Sequence, residues 1–230
     1  MKKNGIKRFF PGILLLALFL LWTVAVKTVD VAQAGETATL VGFATLNSRF
    51  HSLTGVHMWI YDLTDLLSVI PLGVCALFGL LGALQLIRRK SLREVDRDIL
   101  LLGIYYVVVI GAFFLFEVFP VNFRPIFIEG KLEASYPSST TLLVLSVMPT
   151  LSFQVARRSG SAFLRVLVRV LVTLFTLAVV AARLVSGVHW LSDIIGAVLL
   201  SLGLFLLYRA AVASADWKTR PRGKHLYVPE

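Results

Sequence analysis

Residues Ile99–Phe119 read ILLLGIYYVVVIGAFFLFEVF, and no charged side chain interrupts them between Asp98 and Glu117. A helix of that length and uniformity is about 30 Å long, the thickness of a bilayer's hydrocarbon, so the stretch predicts a transmembrane helix. Five more apolar runs of similar kind flank it: Phe9–Val26, Leu66–Ile87, Ser138–Ala156, Val166–Ala182 and about Trp190–Tyr208. Val166–Ala182 is short unless Arg169 snorkels to the interface. The expected fold class is all-α: a six-transmembrane-helix bundle forming a single integral membrane domain over 1–230. Residues 27–60 are expected as an outer-face interfacial segment, and 212–230 as a basic tail.

Composition agrees with the bilayer and excludes the alternatives. Of 230 residues, 57% are hydrophobic and 16% charged, with mean hydropathy +0.83. Soluble domains carry about 45–50% and about 25%. Disorder, coiled coil, collagen-like repeats and a disulfide scaffold are excluded as well. The single cysteine, Cys75, lies in an apolar run and reads as a small packing residue.

The net charge of +10 raises the question of nucleic acid, and the placement of the 23 basic residues answers it. Eighteen fall at the N-terminus and in alternate loops: Lys2–Arg8, Arg88–Arg97, Arg157–Arg169 and Arg209–Lys224. Only Lys27, Arg49, Arg124, Lys131 and Arg183 belong to the other side. By the positive-inside rule both termini are expected in the cytoplasm of a plasma membrane protein. The charge is thus a topology signal that also favours anionic lipid, and no nucleic-acid partner is expected. Ala32-Gln33-Ala34 resembles a signal-peptide cleavage site, but the preceding apolar run exceeds the usual 7–15 residues, favouring an uncleaved helix.

Three segments on the sparsely charged side hold residues with chemistry. The first, Glu117–Pro125, ends in Arg124-Pro125. The second, Ser135–Thr141, places Pro137 before Ser138, Ser139 and Thr140 at the start of a helix, where free backbone N–H groups attract anions. The third runs from Ala182 to Asp193. His189 and Asp193 are four apart, so a carboxylate can fix the imidazole tautomer and leave the other ring nitrogen free to attack. Arg183, six residues before His189, offers a planar fork suited to phosphate oxygens. An ionisable cluster at membrane depth is a functional hypothesis by default.

These residues resemble the type 2 phosphatidic acid phosphatase (PAP2) superfamily, whose signature is Lys-x6-Arg-Pro, Pro-Ser-Gly-His and Ser-Arg-x5-His-x3-Asp on a six-helix core. Arg124-Pro125 matches the end of the first motif, and Pro137-Ser138 the start of the second. Arg183, His189 and Asp193 match the third with its spacing intact. The resemblance implies that His189 attacks phosphorus to give a phosphohistidine, that Asp193 orients it, and that Arg124 and Arg183 hold the phosphoryl oxygens. Ser138, Ser139 and Thr140 would complete the cradle. It implies a lipid phosphate substrate at the outer face and no metal or other cofactor; the oligomeric state stays open.

Three positions depart from the signature. Thr140 stands where the general-acid histidine is expected, Glu117 where the lysine is expected, and Ala182 replaces the serine before the arginine. Glu117, Glu129 or Glu133 are candidate replacement acids, and Lys131 a replacement cation. A lost acid matters most when the leaving group is an alkoxide. A phosphate leaving group, with a second pKa near 6, needs little protonation. The leading reading is therefore a lipid phosphatase preferring polyprenyl or lipid diphosphates. The alternative is a phosphotransferase, or a lipid-phosphate binder without turnover, on the same fold.

Other polar residues read as ordinary at this point. Asp96 and Asp98 are expected in a solvated loop with Arg93 and Arg97. Asp62, Asp65, His51 and His57 are expected at the outer surface, and Trp59, Tyr61, Trp190 and Tyr208 in aromatic belts.

Overall fold

Apolar runs that must satisfy every backbone group inside lipid have the helix as their solution, and the chain takes it six times. The computed structural model describes residues 3–219. Its helices are α1 Lys3–Thr28, α2 Ala44–Thr54, α3 Met58–Leu67, α4 Val69–Arg89, α5 Arg97–Val118, α6 Ser139–Arg158, α7 Ala162–Val185 and α8 Leu191–Thr219. A small antiparallel hairpin, β1 Ala32–Ala34 with β2 Thr39–Val41, precedes α2. α3 and α4 continue one another through Ser68, so the second of six candidate membrane spans runs over Met58–Arg89.

The spans outrun the apolar stretches that announce them. The second begins at Met58 rather than Leu66, because Tyr61, Thr64 and Asp65 occupy one face of α3 and face partners, not lipid. Residues 27–60 are accordingly a hairpin, a short helix and the first turn of a span rather than one interfacial stretch. α8 continues past Tyr208 to Thr219, so the first residues of the expected tail are helical. Residues 220–230 of that tail lie outside the described residues.

Half of the apolar window is buried in α6 and in α8, against 17–22% in the other four spans. Those two helices are therefore the axis of the bundle, and the others pack around them. α1 lies against α8 through Gly12 and Gly203, where an added Cβ at residue 12 would sit 2.7 Å from Leu207. Small residues let helices approach closely where no hydrophobic effect drives association. Tyr105 donates to the Ser146 carbonyl at 2.9 Å, and Tyr106 and Thr150 share a hydroxyl contact at 2.7 Å, tying α5 to α6.

Successive spans alternate in direction, which gathers Arg88, Arg89, Arg97, Arg157, Arg158, Arg165 and Arg209 at one end of the bundle, the basic end. Asp98 is not solvated there. It is buried and accepts from Arg157 Nε at 3.1 Å and Arg158 Nη1 at 2.9 Å. Arg157 also pairs with Asp216 at 2.8 Å, and Asp96 with Arg89 at 2.8 Å. The hydrogen bond from Arg89 is the main cause holding the Asp96 carboxyl below its usual range.

Candidate active site

The opposite end carries the site. After α5 the chain folds back on itself between Asn122 and Ser135 as a narrow hairpin. Phe123 pairs with Ala134, Arg124 N–H donates to Glu133 O at 3.0 Å, and Glu129-Gly130 make the turn with positive φ at both positions. The pairing fixes Arg124, whose carbonyl also accepts from Thr37 Oγ1 at 2.9 Å. Its side chain is buried.

The second support is the turn between α7 and α8. Gly187 has φ 73°, and a Cβ there would lie 1.9 Å from the Gly55 carbonyl oxygen, so only glycine fits. His57 N–H donates to Ser186 O at 2.9 Å, and His51 Nε2 donates to Gly187 O at 3.1 Å. Both histidines are thus half-buried braces of this turn, not surface residues. At the start of α8, Asp193 reaches back to the Trp190 N–H at 3.0 Å, and Asn47 accepts from the Ser192 N–H at 3.1 Å. Together these contacts cap the helix N-terminus.

His189 sits just before α8, buried. Its Nδ1 lies 3.1 Å from the Ser135 carbonyl and 3.8 Å from Asp193 Oδ2, so the carbonyl, not the aspartate, takes its hydrogen bond. Asp193 is held instead by Trp190 N–H and by Asn122 Nδ2 at 3.0 Å. Spacing alone puts His189 and Asp193 in hydrogen-bond contact; the structure separates them because His189 precedes the helix. The other ring nitrogen, Nε2, is 3.3 Å from Arg124 Nη1. Guanidinium can only donate, so Nε2 is the acceptor and Nδ1 carries the proton. Burial, then the charges of Arg124 and Arg183, hold the ring's pKa well below 6.5. The imidazole is neutral with its Nε2 lone pair directed at Arg124, a contact that attack on another atom would replace.

Arg183, at the end of α7, is also buried. Nη1 donates to Thr64 Oγ1 at 2.9 Å, Nη2 lies 3.2 Å from Asp65 Oδ1, and the guanidinium covers the Tyr61 ring at 4.5 Å. Arg124 stands over the same ring at 5.6 Å. Tyr61 thus joins the two arginines. Asp65, expected at an interface, is the ion-pair partner of Arg183. Neither arginine is saturated, for both Nε atoms are buried without an aligned acceptor, although Glu133 Oε2 lies 3.0 Å from that of Arg124. Unpaired buried donors are costly, and a pair of guanidiniums offering them is matched to an anion.

The third support is the N-terminus of α6. Ser138 N–H donates to Asp193 O at 3.3 Å, which places this terminus beside the start of α8. Ser138 Oγ donates to Thr141 Oγ1 at 3.1 Å; Ser139 is half-buried and Thr140 buried. The first amides of a helix have no intrahelical partner. Of the auxiliary candidates, Glu133 is at Arg124, whereas Glu117 at the end of α5 and Lys131 in the hairpin turn are exposed. Among the described residues no group of three His, Cys, Asp or Glu is placed to hold a metal ion.

The residues brought together from α6, α7, α8 and the 122–135 hairpin all lie in one stretch of chain, and residues 116–217 match the PAP2 superfamily. That match covers a little under half of the chain. The fold extends the likeness beyond the PAP2 segment. A solved structure, that of the first transmembrane PAP2 type phosphatidylglycerolphosphate phosphatase from Bacillus subtilis, superposes with a TM-score of 0.63. The alignment covers 92% of this chain and 98% of that one at 18% identity, so the likeness is one of fold. No curated protein matches the sequence. Asn47, Tyr61, Thr64 and Asp65 lie outside the matched segment; Tyr61 and Asp65, expected at the interface, instead support the candidate site, as do Asn47 and Thr64. For three of them the signal was spacing: Tyr61, Thr64 and Asp65 are at i, i+3 and i+4 of one helix.

Proposed function

We propose that the protein is a membrane phosphatase that removes the terminal phosphate of a lipid diphosphate, with His189 as nucleophile. The observation that carries this reading is the state of His189: buried, neutral, with Nδ1–H on a carbonyl and Nε2 facing a guanidinium that also suits phosphate. In the first step Nε2 attacks the terminal phosphorus, the N–P bond forms, and the bridging P–O bond breaks with its electron pair on the leaving lipid phosphate. The imidazolium so formed keeps its Nδ1–H on Ser135 O, and Asp193, 3.8 Å away, opposes its charge. Water then cleaves the N–P bond, releasing inorganic phosphate and neutral His189.

Arg124, Arg183 and the α6 amides supply positive charge where the equatorial oxygens develop theirs, which is how phosphoryl transfer is accelerated. Arg183 must exchange part of its contact with Asp65 for the substrate. The site lies at the end opposite the basic end, so the positive-inside rule puts it at the outer face with both termini cytoplasmic. Thr140 donates a hydrogen bond but is a poor acid, and Glu133, paired with Arg124, is a poor one too. A phosphate leaving group with a second pKa near 6 tolerates that loss, whereas an alkoxide does not. The same loss slows activation of water in the second step, which favours the second reading, transfer of the phosphoryl group to another lipid.

The test is phosphate release by purified protein from a polyprenyl diphosphate, from phosphatidylglycerolphosphate and from phosphatidic acid. Faster release from the diphosphate, lost in His189→Ala, supports the hydrolase. Phosphorylated His189 without free phosphate supports transfer. Equal turnover of all three lipids refutes the leaving-group argument.

A further inference from the structure

At the basic end a groove of about 650 Å³ opens between α7 and the α6–α8 pair. Its walls are largely apolar, and Arg169, Thr173 and Thr176 of α7 face it at i, i+4 and i+7. Arg209 of α8 closes the other side, its guanidinium 5.7 Å from the Phe153 ring and 5.9 Å from the Phe205 ring.

Three observations point to an occupant. Among the described residues Arg169 and Arg209 have no acidic partner, although Arg157 and Arg158 at the same end are fully matched by Asp96, Asp98 and Asp216. Thr176 is only 6% exposed, lines the groove, and its Oγ1 has no hydrogen-bond partner. Depth is the third. Arg169 lies seven residues into α7 and Arg209 seven residues before the end of the last span, each about 10 Å along its helix from that end. From there a snorkelling arginine reaches the level of lipid phosphate and glycerol, where a cation without an acidic partner finds its counter-ion in the leaflet itself.

We propose that this groove binds one anionic phospholipid of the leaflet at the basic end, its phosphate between Arg169 and Arg209 and an acyl chain against the apolar wall. Thr176, about 10 Å further along α7 than Arg169, lies beside that acyl chain. The site is separate from the active site, on the opposite side of the bilayer.

Native mass spectrometry of the full-length protein, titrated with phosphatidylglycerol or phosphatidylcholine, tests it. The expected result is one phosphatidylglycerol retained more tightly than phosphatidylcholine. Arg169→Gln with Arg209→Gln should weaken that adduct at least about tenfold, and an Arg124→Ala/Arg183→Ala protein should keep it. Thr176→Leu, which leaves both charges and fills the groove, should also weaken it. Equal retention of the two lipids, an adduct insensitive to the double substitution or to Thr176→Leu, or an adduct lost with Arg124 and Arg183 would each overturn the proposal.

Discussion

Each end of the bundle buries or half-buries a pair of arginines, and the two pairs are treated oppositely. At the basic end Arg157 and Arg158 keep about a third of their side chains exposed and meet Asp96, Asp98 and Asp216. At the other end Arg124 and Arg183 are 6% and 1% exposed, share one tyrosine ring, and leave both Nε donors without an aligned acceptor. One residue type therefore serves two purposes. Arginines with two carboxylate partners each fasten α5, α6 and α8, whereas Arg124 and Arg183, with one apiece in Glu133 and Asp65, keep donors to spare. Burial without saturation, rather than charge itself, marks the site.

The contrast breaks most completely at His189. His189→Ala should lower phosphate release by about 10³-fold or more, as loss of a nucleophile does elsewhere. Residual turnover near the unmodified rate would remove the nucleophile assignment altogether. Next come the arginines themselves. Arg124→Ala and Arg183→Ala are each expected to cost about 10²–10³ in turnover, and lysine should not restore it, because the planar fork is lost. Arg157→Ala, measured beside them, should change thermal stability and leave turnover near its starting value. Comparable losses at both ends would erase the distinction.

Thr140→His sharpens it by restoring an acid to the charged end. Turnover of phosphatidic acid is expected to rise about 10²-fold, with little change on a diphosphate; a uniform change across substrates would argue that Thr140 acts in binding instead. At the basic end, Asp98→Asn should lower stability by about 1–2 kcal/mol, a value discounted from a fully buried pair because both arginines are partly exposed. The readout is the unfolding midpoint in detergent, with turnover unaffected.

The smallest effect is the pH profile. Burial and two neighbouring guanidiniums lower the pKa of His189, so the nucleophile stays neutral below pH 6.5. The acid limb of kcat/KM is therefore expected below 6.5, and a limb at or above that value would contradict the charge field. Linkage gives the matching sign for stability. The unfolded histidine takes up a proton first, near 6.5, so this residue's contribution falls as pH drops from 6.5 toward the folded value.

Much of this was legible in the chain because bilayer physics is one-dimensional. Ile99–Phe119 has no soluble alternative, and the distribution of arginine and lysine sorts loops before any contact is known. The Arg183, His189 and Asp193 spacing was legible for a related reason, since one turn and one helix start carry all three. Spacing failed where two elements must meet. His189 lies outside α8, so its Nδ1–H goes to Ser135 on a different segment, and Asp193 becomes a helix cap. Asp65 and Tyr61 looked interfacial because a polar face on α3 has no meaning until α7 arrives. Asp98 looked solvated because its partners lie some sixty residues away on α6.

The sequence by itself determined the membrane, the six helices, the charge asymmetry between their ends and the residue types that collect at the less basic one. These follow from local quantities: hydropathy over about twenty residues, loop charge, and turn chemistry. The tertiary structure alone decided which tautomer His189 holds, that two arginines share Tyr61, and which arginines are matched and which are not. Those depend on distances of about 3 Å between segments far apart in the chain, set by how α6 and α8 pack at the axis and by the hairpin and turns folded over their ends.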